Sequence, residues 1–592
     1  MQRRFSAKIG GLAAALLAGT ALAPRPAAAA SCESLQSTSF PGFTVTSATS
    51  EAADAFTPPG GTAAIAAPFC RVVAVATPVA GSDINFEVWL PATGTWNQKF
   101  RGEGSGGSAG SINYTAMVDG LTRGYATMAN DNGHTGSLWT FSQNPEAVVD
   151  FGYRAQHVTT IAGKQIVQAF YGVAPRHSYF VGCSQGGHHA QMEAQRYPTD
   201  YDGIIGGDPA SDWTGQMTAE VWIGLASTVG GTDLSQAKLN LVTQAVLAQC
   251  AGRDGGLATD QFLTDPRVCG FNPAVLECPS GQDPSTCLTA AEVQAVQKIY
   301  QGPYFTLTGQ KIAPGLAVGS EAYWRQVLVG TPLPGGSSTS FFRDGVFDDP
   351  NFDFLTFNFG SDVALAYGKV FAGQTLAQIL NANDTDLEPF RQAGGKIIMY
   401  HGWADPFVAS QFSIDIYAGI LEHDAVATGL HLGLGPLLRV IGTFGLAGDA
   451  GLGRALLLLA DEATLRHTQT FARLFMVPGM NHCAGGPGPN SFGGAGQPAG
   501  SPLDRTHDMV EALDAWVDQG IPPTEIIATK YNNDSPSQGV AFTRPLCLYP
   551  QRAVYRGSGS QSDAASYVCV TPAPANNGPP LLQLNAYPNG AP

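Results

Sequence analysis

Short apolar runs alternate with turn residues along residues 31–100. Residues 70–76 and 84–90 are two such runs and predict strands. The stretch 99–110 follows a short strand and turns glycine-rich, and residues 124–129 predict another strand, leading into 130–134. The period then changes. Ala155, Val158, Ile161, Ile166 and Ala169 recur at helical spacing across 151–172. An apolar strand at 179–181, a helix at 188–196 and a strand at 201–206 follow. Alternating strand and helix predicts a mostly parallel sheet with helices on its faces, an α/β architecture. The rhythm breaks over 211–390, which reads as a large inserted lid domain. It resumes with strands at 396–400 and 473–477 and a helix at 508–516. The expected division is therefore 1–30, 31–210, 211–390 and 391–592, with the second and fourth parts forming one catalytic domain.

Composition refines this picture. Of 592 residues, 44% are hydrophobic and 13% charged, enough for a large core under a weakly charged surface. The net charge of −16 leaves no basic face for nucleic acid or anionic membranes, so neither is expected as a partner. Residues 1–8 are basic, 9–23 are apolar but too short to span a bilayer, and Ala28-Ala29-Ala30 fits signal-peptidase cleavage. An exported chain, secreted or periplasmic, is expected; Arg3-Arg4 also fits twin-arginine export, with a coincidental pair in a basic n-region as the favoured alternative. Ten cysteines in such a chain predict five disulfides, with pairings that counting does not fix. Residues 424–465 are rich in Gly, Leu and Ala and read as packed helices or as a membrane or substrate contact. The tail beyond 570 reads as irregular.

The chemistry centres on Gly182-Cys183-Ser184-Gln185-Gly186, a G-x-S-x-G turn between strand and helix. A serine nucleophile needs a base, a carboxylate to orient it and N–H donors for the oxyanion. Asp405 and His482 each follow a predicted strand, and the order Ser, Asp, His is that of an α/β-hydrolase fold. His134, His188 and His189 do not follow the acid. His401, four residues before Asp405, is too near it to share its geometry easily, and Asp208 is an alternative acid. The expected oxyanion donors are the Gln185 N–H and an N–H of Gly106 or Gly107, with about 3 kcal/mol lost for each one removed.

At these residues the chain resembles the tannase/feruloyl esterase family of secreted α/β-hydrolases, over about 95–550. The family's Cys-Ser, Asp, His-Cys signature stands here as Cys183-Ser184, Asp405 and His482-Cys483. Residues 104–110, 196–203 and 473–483 also match. The resemblance implies a Cys183–Cys483 disulfide, and the pairs Cys32–Cys70, Cys250–Cys269, Cys278–Cys287 and Cys547–Cys569. It implies a structural calcium in the lid, held by Asp254, Asp260 and the carbonyls of Gly256 and Phe262, although Ala251 stands where the family has an aspartate. A disulfide-closed loop with solvated aspartates is the alternative. No cofactor is expected for catalysis. The implied activity is hydrolysis of small aromatic esters by a monomer or weak oligomer. Hydroxycinnamoyl (feruloyl) esters rank first, with galloyl and mono(hydroxyethyl) terephthalate-type esters as alternatives. An acyltransferase with the same triad and an inactive aromatic-ligand-binding protein are the rival readings.

Overall fold

A computed structural model describes residues 30–229, 232, 234–306, 308–326, 337–431, 462–498 and 500–572. Nine strands form one sheet: β1 (Phe43–Glu51), β2 (Phe69–Ala76), β3 (Ile84–Pro91), β4 (Lys99–Glu103), β5 (Ala126–Asn130), β6 (His177–Cys183), β7 (Gly203–Gly207), β8 (Lys396–Gly402) and β9 (Ala472–Val477). Their order is β1-β2-β3-β5-β4-β6-β7-β8-β9. β1, β2, β3 and β5 pair antiparallel, and every pair from β5 to β9 is parallel. The parallel strands are buried along almost their whole length, which is why they read as unbroken apolar runs. Helices α1 (Ala155–Tyr171), α2 (Gln185–Arg196) and α5 (Met509–Gln519) cover the sheet faces, with α3 (Trp213–Thr228) and α4 (Gln411–His431) between the last two.

The elements that the sequence pattern places lie within a few residues of their expected positions; β1, α3 and α4 are not placed by it. Two boundaries shift for physical reasons. The helix expected over 151–172 opens with a wider π-helical turn, Asp150–Arg154, before α1 begins. The elbow helix begins at Gln185 rather than 188, because the strained serine directly precedes its first turn.

Between β7 and β8 no strand joins the main sheet among the described residues; a two-residue hairpin, Val370–Phe371 with Gln374–Thr375, is separate. Among the described residues, the main core of this region is shared with the catalytic loops. Val221, Leu239, Val296, Phe341, Phe342 and Ile379 pack in one cluster with Trp139 and Phe151 from before the elbow and Val408 from the acid loop. The cover is therefore fused to the catalytic loops through shared buried surface.

The five disulfides are Cys32–Cys70, Cys183–Cys483, Cys250–Cys269, Cys278–Cys287 and Cys547–Cys569, the pairs that the resemblance implies. Residues 1–29, most of 424–465 and the tail from 573 lie outside the described residues, so the export-signal, apolar-segment and tail readings are not addressed by this fold. No helix among the described residues is long and apolar enough to cross a membrane.

Candidate active site

Three parallel strands end at one point. β6 delivers Ser184, β8 delivers the loop bearing Asp405, and β9 delivers the loop bearing His482, all at carboxyl ends, where open α/β sheets bind ligands. Ser184 Oγ lies 2.8 Å from His482 Nε2, and His482 Nδ1 lies 2.7 Å from Asp405 Oδ2. The other oxygen of Asp405 accepts the N–H groups of Phe407 and Val408 at 2.8 and 2.9 Å, so the carboxylate is fixed by its own loop. Asp405 is fully buried and His482 half-buried, with the Phe407 ring edge-on to the imidazole at 5.2 Å.

The turn carrying Ser184 is held in an uncommon conformation. Ser184 has φ 64°, Cys483 has φ 62° and Asp208, at the end of β7, has φ 38°. Left-handed non-glycine residues each cost about 1–3 kcal/mol and persist where the surroundings over-determine them. Here the Ser184 N–H donates to Gly207 O at 2.9 Å, and the Cys183–Cys483 bridge, spanning 300 residues of sequence, ties the serine turn to the histidine loop. Glycines make the turn possible. A Cβ on Gly104 would stand 2.5 Å from the Gly186 Cα and 2.9 Å from the Gly182 Cα. The 104–107 loop thus lies directly on the elbow backbone, and Gly186 N–H donates to Ser105 O at 2.8 Å.

This contact puts the expected oxyanion donors in context. Gln185 is the first residue of α2, so its N–H has no intrahelical acceptor. Gly106 and Gly107 follow the contact point, Gly107 with φ 56°, and space is open where either side chain would stand. His134, one of the competing bases, braces this loop instead, with Nε2 3.0 Å from Ser108 O. His188 and His189 lie buried in α2, where burial pushes them down to about 4 and about 3. His188 Nε2 faces Leu380 O and His189 Nε2 faces the Gln185 amide.

Two placements differ from the sequence reading. His401, expected to be too near Asp405 in sequence to share its geometry, lies with Nε2 3.3 Å from Asp405 Oδ2. The loop between them doubles back, because Asp405 caps its own turn and Val408 O meets the same nitrogen at 3.0 Å. Asp208, the alternative acid, makes no direct bond to His482; it accepts the Cys483 N–H at 2.9 Å and the Gly402 N–H at 2.7 Å. A further residue carried no sequence signal. Glu220 on α3 is buried and pushed up to about 7 by burial, and it is close enough to His482 to favour its cationic form. Its Oε2 accepts the Ser338 N–H at 3.1 Å.

Electrostatics favour a basic His482. Burial opposes its charge, but Asp405, then Asp208 and Glu220, raise it above its ordinary value. Burial also opposes the Asp405 charge, yet His482 and His401 hold that carboxyl well below the usual range. A strong hydrogen-bonded carboxylate, a basic imidazole and a strained serine are the parts that nucleophilic acyl transfer requires.

The lid loop expected to hold calcium is arranged differently. Asp254 accepts the Gly256, Thr264 and Asp265 N–H groups at 3.1, 2.5 and 3.4 Å. Asp260 accepts the Leu257 N–H at 2.9 Å and pairs with Arg544 at 3.1 Å. Calcium takes six to eight oxygens, usually including several carboxylates. Two carboxylates already engaged by N–H donors, one of them facing a buried guanidinium, do not fit that requirement.

Fold and site together define a serine hydrolase of the α/β-hydrolase class. The pattern of the family described as tannase and feruloyl esterase matches residues 70–570, and the chain belongs to that family. It is 40% identical to an uncharacterized esterase of Xanthomonas campestris over 97% of this chain and 96% of the relative. It is 33% identical to a probable feruloyl esterase B-1 of Aspergillus terreus, over 86% and 87% of the two chains. The crystal structure of feruloyl esterase B from Aspergillus oryzae superposes with a TM-score of 0.76 at 28% identity, covering 91% of this chain and 99% of that one. The protein is an esterase of the tannase/feruloyl esterase kind.

Proposed function

We propose that Ser184, His482 and Asp405 hydrolyse esters of aromatic acids, feruloyl esters foremost, through an acyl-enzyme. The observation that carries this is the continuous chain Ser184 Oγ, His482 Nε2, His482 Nδ1, Asp405 Oδ2, with links of 2.8 and 2.7 Å across the ends of three strands. Ser184 Oγ attacks the ester carbonyl as its proton passes to His482 Nε2. The oxyanion rests on the Gln185 N–H and an N–H of Gly106 or Gly107. The alkoxy group leaves as the alcohol, taking the proton from His482. Water then adds to the acyl-enzyme with His482 again as base, and the aromatic acid departs. Asp405 stays ionised and holds the imidazole tautomer throughout.

The substrate class rests on the relatives' names, feruloyl esterase B and B-1. Export to periplasm or medium is supported by the signal-like residues 1–30 and by five disulfides, which persist in oxidising compartments. In the lid, Arg544 pairs with Asp260 and offsets its charge.

Release of free acid from methyl ferulate, methyl gallate and mono(hydroxyethyl) terephthalate tests the reading. Wild type should hydrolyse the ferulate fastest and Ser184→Ala none of them. Equal, slow rates for both proteins would reject the enzyme mechanism. A product ester formed with added alcohol in preference to free acid would instead favour an acyltransferase.

A further inference from the structure

Behind the triad lies a second carboxylate and a second imidazole, both fully buried. Asp208 follows β7 and joins three strand ends. Its own N–H donates to Tyr400 O at 2.9 Å, its Oδ1 accepts the Gly402 N–H at 2.7 Å, and its Oδ2 accepts the Cys483 N–H at 2.9 Å. Cys483 is the residue after the catalytic histidine. Its bridge partner Cys183, the residue before the nucleophile, has Sγ 3.3 Å from the same Oδ2. His401 stands between the carboxylates, with Nε2 3.5 Å from Asp208 Oδ1 and 3.3 Å from Asp405 Oδ2, while Nδ1 meets Ser413 Oγ at 2.7 Å. The Asp405 oxygen facing His401 is the one that also holds His482.

We propose that Asp208 and His401 are positioning residues, a second carboxylate–imidazole pair that locks the histidine loop to β7 and β8 and tunes the charge felt by His482. The proposal rests on the acyl-enzyme reading of Ser184. Burial raises Asp208 to about 6, with His401 opposing that rise, and the His401 imidazole is raised against burial first by Asp208. Each therefore favours the charged form of the other. The other titratable groups facing the pair are Asp405, His482 and Tyr400 from β8, while Glu220 from α3 acts on His482. Of the pair, Asp208 is the member whose charge raises His482 appreciably.

A test of positioning follows from this coupling. Asp208→Asn removes a negative charge that favours protonated His482, so the acidic limb of kcat/KM against pH should move to lower pH, by about half a unit. The amide also cannot accept both backbone N–H groups, so kcat should fall about tenfold with KM changed less than about threefold. His401→Gln deprives Asp208 of its counter-charge; Asp208 then takes up a proton, and the limb should move in the same direction. The double variant should move it no further than either single one. Methyl ferulate hydrolysis by the full chain gives all three profiles, and His401→Gln alone decides the matter if Asp208→Asn does not fold. A limb unmoved in a folded variant, or shifts that add in the double variant, would overturn the proposal. Ser184→Ala is run alongside: residual hydrolysis there would refute the acyl-enzyme reading itself, whatever the limb does.

Discussion

Asp405 Oδ2 lies 2.7 Å from His482 Nδ1, joining loops 77 residues apart in sequence. Because the other Asp405 oxygen is held by two backbone N–H groups, the imidazole has one orientation and one tautomer available to it. Asp405→Asn keeps the shape and inverts that tautomer. Its kcat should fall about 10³- to 10⁴-fold, with little change in KM. Steady-state kinetics on methyl ferulate measure this, and a loss below tenfold would mean another group orients His482.

The pH profile should follow His482. Its neutral form is the base, and Asp405, Asp208 and Glu220 raise it above the ordinary histidine value despite burial. A raised value keeps the ring protonated to higher pH, so kcat/KM should climb through an apparent pKa above about 6.5. Asp405 lies below the usual carboxylate range and should add no limb of its own above pH 4. A half-maximal point below pH 6 would contradict this assignment.

Gly104 and Gly106 should respond very unequally to alanine. At Gly104 the new methyl would meet Gly186 Cα at 2.5 Å, pushing the loop off the elbow, whereas at Gly106 it would meet nothing within 4 Å. Displacing an oxyanion donor costs about 3 kcal/mol, so Gly104→Ala should lose about 10²-fold in kcat and Gly106→Ala less than about threefold. Equal kcat values for the two variants would place the oxyanion elsewhere.

Cys183 and Cys483 flank the nucleophile and base. The chain-entropy model gives their bridge about 5–6 kcal/mol, but its geometric role should dominate the assay. The folded fraction of Cys183→Ala/Cys483→Ala, read by near-ultraviolet dichroism, should exceed its residual turnover severalfold. Unchanged turnover would show that the remaining contacts suffice to place Ser184.

The lid loop offers a metal test. With Arg544 paired to Asp260, chelator and added calcium should leave the melting temperature unchanged. Arg544→Ala strands a buried carboxylate and should destabilise by about 3–5 kcal/mol, seen as a lowered melting temperature. A calcium-dependent rise in the wild type would show that the loop binds the ion after all.

The sequence by itself determined a great deal here. Runs such as 396–400 and 473–477 are apolar throughout because both faces of a parallel strand are buried, so their positions could be read directly. Glycines around Ser184 marked a turn that only small residues permit, and the order of Ser184, Asp405 and His482 placed each at a strand end. Tertiary structure decided the rest. The approach of Gly104 to Gly186, the return of His401 onto Asp405 and the three-way grip of Asp208 all depend on which strands become neighbours. β7 lies between β6 and β8 although 188 residues separate its end from the start of β8, and no local pattern encodes that adjacency. Glu220 was invisible for the same reason: α3 is buried on almost every side, so its carboxylate is turned inward only once the cover packs onto the catalytic loops. Local sequence fixes which backbone conformations are affordable, whereas the field around His482 is a sum over groups that meet only when the sheet closes.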